Sequence, residues 1–326
     1  MRGLYLTGRG LEYRPDLQMP GLAPGCALIR VERAGICSTD LQLVSGLYDF
    51  QGIPGHEFVG VVEQLAEDAG MAAAWLGRRV VGEINIACHV CDLCRKGLPK
   101  HCRRREVLGI RNHHGAFADY LVLPVSNLHQ VPDDLPSDLA VFAEPLAAVF
   151  DILNKVKISS DTRIAIVGDG RIAQLAARVL LEEVNQLTVV GKHADKLLRF
   201  PPDVTAHLRD EELPEQQFDL VVECSGSSSG LATALVLVRP AGQVVLKSTV
   251  KHPLSISTET LVVNEISLIG SRCGDFERAI QFISASQKKD QALANLVDGC
   301  FNIEEGLAAM ILAQKPSTIK VVLNMA

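Results

Sequence analysis

The feature that most narrows the possible folds is a glycine turn set between an apolar run and an amphipathic segment. Directly after Arg163 to Val167 comes Gly168-Asp169-Gly170-Arg171-Ile172-Ala173. In such a Gly-x-Gly-x-x-Ala turn the first glycine permits a sharp reversal and the second lets backbone approach a pyrophosphate. The small third residue keeps helix and strand close, and the helix N-terminus attracts the phosphates. Gly168, Gly170, Arg171 and Ile172 are therefore expected to lie against a dinucleotide. Beyond them Ile172, Leu175, Ala176, Val179 and Leu180 share one helical face, while Gln174, Arg178 and Glu182 fall on another.

The same rhythm continues. Short apolar runs at Leu187 to Val190, Phe218 to Val222, Gln243 to Leu246 and Ser267 to Ile269 alternate with helical stretches. Alternation of this kind calls for βαβ units on a parallel, doubly wound sheet. The N-terminal part reads differently, as short β-prone segments separated by glycine and proline, including Ala27 to Val31, Phe58 to Glu63, Val80 to Asn85 and Ala118 to Leu123. With 326 residues the chain has room for about two domains. We expect an α/β protein with a β-rich domain over 1–130, a nucleotide-binding domain over 131–272, and a tail over 273–326 that returns to complete the first. That tail carries helices around 276–286 and 303–313 and the apolar strand Ile319 to Leu323.

Charge and cysteine content exclude several classes. The net charge of −6 provides no basic field for nucleic acid or anionic lipid, and Arg103, Arg104 and Arg105 form only a small patch. No apolar run approaches the roughly 20 residues that span a bilayer, and the first twenty residues lack the apolar core of a signal peptide. A cytoplasmic protein without nucleic-acid or membrane partners is the expectation. Four of the nine cysteines, Cys88, Cys91, Cys94 and Cys102, are spaced Cys-x2-Cys-x2-Cys-x7-Cys. Two-residue gaps let a tight loop place four thiolates about 2.3 Å from one Zn²⁺. Filling all four positions with sulfur leaves no open coordination site, so this zinc should be structural.

Further motifs stand upstream and downstream: Gly35-Ile36-Cys37-Ser38-Thr39-Asp40, Gly55-His56-Glu57-Phe58-Val59-Gly60, Ala143-Glu144-Pro145-Leu146, and a closing Lys315 to Val321. Together with the tetrad these resemble the zinc-dependent medium-chain alcohol dehydrogenases, in particular the branch with sorbitol, threonine and glucose dehydrogenases. The resemblance covers nearly the whole chain. It implies a GroES-like catalytic domain beside a Rossmann domain, and a catalytic zinc held by Cys37 and His56 with Glu57 adjacent. Glu144 would be a further ligand or hold the metal's water. A thiolate, an imidazole and a carboxylate leave one position open for water or an alcohol oxygen, and a zinc so held acts as a Lewis acid.

The resemblance also implies that the Thr39 hydroxyl bonds the alcohol and starts proton removal, since it can donate and accept together. Five residues beyond Cys37, where many relatives carry a proton-transferring histidine, stands Gln42, which cannot titrate. A water chain assisted by Glu57 is the expected proton route. At the end of the second nucleotide-domain strand, Gly191-Lys192-His193 replaces the acid that grips ribose hydroxyls in NAD enzymes. Loss of that charge, with Lys192 nearby, leads us to expect NADP in preference to NAD. Ser225 and Ser248 sit in loops that run along the cofactor in the family. The expected activity is reversible oxidation of an alcohol or polyol to an aldehyde or ketone, in a homodimer or homotetramer. The alternative is a catalytically inactive nucleotide-binding regulatory or structural protein on the same scaffold. Ser45, Leu47, Tyr48, Phe50 and Phe117 are candidates for lining the substrate pocket.

Overall fold

The structure is a computed structural model that describes residues 1–46, 48–66, 74–209, 211–250, 253–289 and 293–325. The chain divides into two compact units, Met1–Glu144 with Phe276–Ala326, and Pro145–Asp275.

In the first unit, mostly buried strands form a seven-stranded sheet. Its order is Leu128–Gln130, Arg79–Gly82, Glu57–Leu65, Cys26–Gly35, Lys320–Asn324 and Val297–Asn302, with Tyr120–Pro124 also paired to Cys26–Gly35. The long Cys26–Gly35 strand is the hub, because its two bulges against Glu57–Leu65 bend it enough to serve several neighbours. Its register places Gly35 opposite both Glu57 and Val322. The C-terminal tail thus supplies a strand next to the one that leads into Cys37. A smaller three-stranded sheet of Asn85–Ile86, Glu106–Leu108 and Asn112–His113 carries the cysteine loop between its first two strands.

The boundary expected at 130/131 falls instead at 144/145. The intervening segment is tied to the first unit by polar bonds. Val131 N–H donates to Arg79 O at 2.8 Å, Ser137 Oγ to Glu32 at 2.7 Å, and Arg33 Nε to Asp138 at 2.7 Å. At the other end, Arg272 N–H donates to Asp151 and a side chain at Gly274 would meet Ala147 O, so residues 273–275 stay with the second unit rather than the tail.

The second unit is a six-stranded parallel sheet in the order Val204–Leu208, Leu187–Gly191, Ile164–Val167, Phe218–Glu223, Val238–Leu246, Ser267–Gly270. The edge strand Val204–Leu208 was not legible in the sequence, since its exposed, polar pattern lacks an apolar run. Val167, Val190, Val221 and Val244 pack with Leu231, Ala234 and Leu237. The strand order reverses direction at Ile164–Val167, so the crevice at the carboxyl end of this strand is where a nucleotide binds in such sheets. One residue of the helix Arg171–Leu180 departs from the amphipathic reading. Gln174 is fully buried, because its Nε2 donates to Lys196 O at 3.0 Å and its Oε1 accepts from Arg178 at 3.0 Å.

Close approach at the bend of the hub strand yields a test. A Cβ added at Gly60 would collide with Arg30 O and lie 2.8 Å from Ile29 Cγ2. Gly60→Ala should destabilise the protein by about 1–3 kcal/mol through overpacking, read as a lower denaturation midpoint with no change in the metal content of the folded protein.

Candidate active site

The strand Cys26–Gly35 delivers Cys37 to the N-cap of the short helix Ser38–Val44, and the strand Glu57–Leu65 starts immediately after His56. The antiparallel pairing of Gly35 with Glu57 brings the two loops together. One ligand atom from each of Cys37, His56 and Glu57 lies within 4.8 Å of the others. Glu144, in the first turn of the helix Ala143–Phe150, does not join this group among the described residues. Thr39 Oγ1 stands 3.8 Å from Cys37 Sγ.

Two residues that sequence reasoning passed over organise this cluster. Asp40 is fully buried. Its carboxylate accepts from Cys37 N–H at 2.8 Å and Gly55 N–H at 3.2 Å, and it lies 3.3 Å from His56 Nδ1. Lys320 is buried as well, with its ammonium paired to Glu57 Oε2 and set 5.6 Å from the centre of the Phe142 ring. A charged residue inside the apolar run Ile319 to Leu323 was the available signal. A side chain at Gly35 would collide with this Lys320–Glu57 pair, which is why the hub strand carries glycine there.

The electrostatics describe a cation site. Burial alone would lower the His56 pKa, yet the charges of Asp40 and Cys37 outweigh it and hold the imidazole well above its ordinary value. Burial pushes the Lys320 ammonium down to about 8 against the opposing pull of Cys37 and Asp40. A sulfur, an imidazole and a carboxylate brought this close suit a divalent ion of borderline softness, with Asp40 3.3 Å from the other nitrogen of His56.

In the cysteine loop the four sulfurs of Cys88, Cys91, Cys94 and Cys102 also lie within 4.8 Å of one another. Cys91 Sγ is 3.5 Å from Cys94 Sγ and 3.8 Å from Cys102 Sγ. A tetrahedron with arms of 2.3 Å has edges of about 3.8 Å, so the loop fits zinc. Cys88 N–H donates to Cys102 Sγ at 3.3 Å, and Arg104 donates to Cys88 Sγ at 3.6 Å.

In the second unit Gly168 adopts φ of +130°, and a Cβ there would lie 2.9 Å from Cys224 O. Gly170 caps the ten-residue helix Arg171–Leu180, whose first turn carries no acidic residue, and faces open space. Ala173 is fully buried, in keeping with close packing. The turn fits a pyrophosphate. The Ser225 hydroxyl is turned inward, donating to Glu223 Oε1 at 2.7 Å, whereas Ser248 Oγ accepts from Gly226 N–H at 2.7 Å. The side chain of Lys192 is exposed, and His193 is tied to Asp169 by a contact of 3.0 Å. Of the substrate-pocket candidates, Phe117 is buried, Phe50 is half-buried, Ser45 and Tyr48 are exposed, and Leu47 lies outside the described residues.

Comparison with known proteins agrees with this geometry. Residues 23–133 match the alcohol dehydrogenase GroES-like domain and residues 165–324 match the zinc-binding dehydrogenase domain. The D-altritol 5-dehydrogenase of Agrobacterium fabrum is 28% identical over 97% of this chain and 96% of its own. Among solved structures, an alcohol dehydrogenase from Escherichia coli complexed with NADH superposes with TM-score 0.89 at 22% identity, covering 100% of this chain and 99% of the other. A zinc-binding dehydrogenase from Sinorhizobium meliloti bound to NADP gives 0.87 at 23% identity, over 99% and 98%. The chain belongs to the zinc-dependent medium-chain alcohol dehydrogenase family. It is an oxidoreductase built on a GroES-like domain and a Rossmann domain, a zinc and nicotinamide enzyme acting on a small molecule. Among the described residues no helix is long and apolar enough to cross a membrane.

The tetrad's thiols differ in acidity. The Val90 backbone hydrogen bond leads those that lower Cys88 to about 6, while burial, assisted by Cys91, pushes Cys94 up to about 12. In zinc-free protein at pH 7, iodoacetamide should therefore alkylate Cys88 before Cys94. Peptide mass spectrometry over time reads the order, and added zinc should slow all four.

Proposed function

We propose that this chain is a zinc-dependent alcohol or polyol dehydrogenase that transfers a hydride reversibly between a small alcohol and a nicotinamide dinucleotide, giving an aldehyde or ketone. The observation that carries the reading is the convergence of one ligand atom each from Cys37, His56 and Glu57 within 4.8 Å. A zinc bound there supplies Lewis acidity that makes a hydroxyl more acidic.

The side chains divide the remaining work. Cys37 and His56 hold the ion, and Asp40 fixes the imidazole so that its free nitrogen faces inward. Glu57 is paired with Lys320, and Glu144, outside the three-residue group, would hold the metal's water or reach the ion only after moving. Thr39, beside Cys37, binds the alcohol hydroxyl and accepts its proton while donating its own. From Thr39 the proton leaves through water. Gln42 orients that water without titrating, and Glu57, with Oε2 already engaged by Lys320, contributes its charge to the route. The second zinc, held by Cys88, Cys91, Cys94 and Cys102, braces the loop between Asn85–Ile86 and Glu106–Leu108.

The pyrophosphate rests on Gly168, Gly170, Arg171 and Ile172, with Ser225 and Ser248 in loops farther along the cofactor. Between the two dinucleotides, Gly191 and Lys192 alone favour NADP, while the carboxylate of Asp169 beside them favours NAD. Nine free thiols fit a reducing, cytoplasmic setting, and we extend the reading to a homodimer or homotetramer. Polyols are the favoured substrate class, on the strength of the D-altritol relative.

Metal analysis should find two zincs per chain, falling to one in Cys37→Ser with the fold retained. Thr39→Val should lower kcat by about 10²–10⁴-fold with little change in zinc content. A chain that binds reduced dinucleotide yet consumes none over a panel of alcohols and carbonyls, with zinc present, would be the inactive scaffold protein instead.

A further inference from the structure

In doubly wound nucleotide domains an acidic side chain about 20 residues beyond the first glycine accepts hydrogen bonds from the adenosine ribose. Here that place, the last residue of the strand Leu187–Gly191, is a glycine. The structure supplies a reason unrelated to a 2′-phosphate. A Cβ at Gly191 would lie 2.8 Å from Leu197 Cδ2, 2.9 Å from Asp169 Cβ and 3.0 Å from Asp169 Oδ2. The space that an acid at 191 would occupy is already taken by an acid, delivered from the neighbouring strand's glycine turn.

We infer that Asp169 is the specificity-determining residue for the adenosine end of the cofactor, and that it selects the dinucleotide with an unphosphorylated 2′-hydroxyl. This rests on the dehydrogenase reading above and replaces the preference for NADP that Gly191 and Lys192 would give by themselves.

The placement of Asp169 is fixed. Its side chain is about nine-tenths buried, and Oδ2 accepts from Lys192 N–H at 2.7 Å, His193 N–H at 2.8 Å and His193 Nδ1 at 3.0 Å. Burial would raise its pKa, but those backbone and imidazole bonds prevail and hold the carboxyl below the usual range, so it is anionic at neutral pH. All three of these bonds converge on Oδ2. A carboxylate has acceptor capacity on both oxygens and no donor, so Oδ1 is suited to receive hydroxyl donors. A ribose diol provides them. A 2′-phosphate removes one donor, adds close to two negative charges, and meets a fixed carboxylate in partly buried surroundings where repulsion is poorly screened.

Lys192 does not offset this. Its contribution to the arrangement is its backbone N–H, given to Asp169, while its side chain is exposed to solvent and screened. His193 is likewise engaged with Asp169 rather than left to meet a phosphate. The turn sequence Gly168-Asp169-Gly170 and the end of the next strand are thus one device, in which the acid has moved across one strand and glycine at 191 makes room for it.

The test titrates the zinc-loaded full chain with NADH and with NADPH, following nicotinamide fluorescence, for the wild type, Asp169→Asn, and the double variant Asp169→Gly with Gly191→Asp, which removes the Cβ that a side chain at 191 would meet. The isosteric Asn keeps the acceptor oxygen for the backbone N–H groups and removes the charge. We expect the wild type to bind NADH tighter by about tenfold or more, Asp169→Asn to erase most of that ratio, and the double variant, with the acid at the usual place, to restore it. Competition by 5′-AMP and 2′,5′-ADP should follow the same order. A wild type that prefers NADPH, or a ratio unchanged in Asp169→Asn, overturns the inference while leaving a dinucleotide enzyme. Binding of neither cofactor overturns the dehydrogenase reading itself and this inference with it. Should Asp169→Asn fail to fold, the wild-type ratio together with the double variant still decides.

Discussion

The buried carboxylate of Asp40 is the interaction on which the catalytic half depends. Cys37 and His56 belong to different loops, one leaving the strand Cys26–Gly35 and the other entering Glu57–Leu65. Sheet pairing brings the two loops near each other, but it does not aim their side chains. Asp40 does so by taking one N–H from each loop, those of Cys37 and Gly55, while lying 3.3 Å from the imidazole. A carboxylate with no exposure has no solvent to replace those partners, so the loops cannot separate without leaving an unsatisfied buried charge. The same contacts that satisfy the buried Asp40 carboxylate therefore set the distance between the donors.

Charge balance explains why the tail returns to this place. Cys37 as thiolate, Asp40 and Glu57 would gather three negative charges in a space with almost no water. A divalent ion held there would offset two of them and leave one. Lys320, on the strand that pairs with Cys26–Gly35, supplies the remaining positive charge through Glu57. Completing the sheet with Lys320–Asn324 and neutralising the site are thus the same structural act. A lysine within an apolar strand, costly in isolation, is supported by its partner.

Much of this was legible in the residues themselves, for physical reasons. The tetrad could be read because zinc fixes both ligand type and spacing, and the glycine turn because its conformation needs particular residues at particular steps. The runs of Val and Ile announced five of the six strands of the parallel sheet. Asp40, Lys320 and Gln174 were less visible, since their roles depend on partners far away in sequence. Positions 40 and 320 carry no local mark of their partners, and 174 reads as part of a polar helical face until Lys196 O and Arg178 are in place around it. The strand Val204–Leu208 escaped notice because an exposed edge needs no apolar pattern. The boundary between the units moved for a similar reason, as the hydrogen bonds that Val131 and Ser137 donate to the first sheet, and the one Asp138 accepts from Arg33, carry no local signature.

Asp169 shows how reading one position at a time and reading the pair lead to different expectations for the dinucleotide. Considered alone, glycine at 191 means the absence of an acid, and absence of an acid means tolerance of a phosphate. The strands Ile164–Val167 and Leu187–Gly191 run parallel with Val167 opposite Val190, so Asp169 beyond the first bonds Lys192 and His193 beyond the second although they are 23 and 24 positions apart in the chain. Across such a pair, a side chain from either strand end can occupy the same volume, and close packing allows only one to do so. Glycine at one position and aspartate at the other are then a single solution to one steric and electrostatic requirement, and the charge presented to the ribose depends on the pair rather than on either residue.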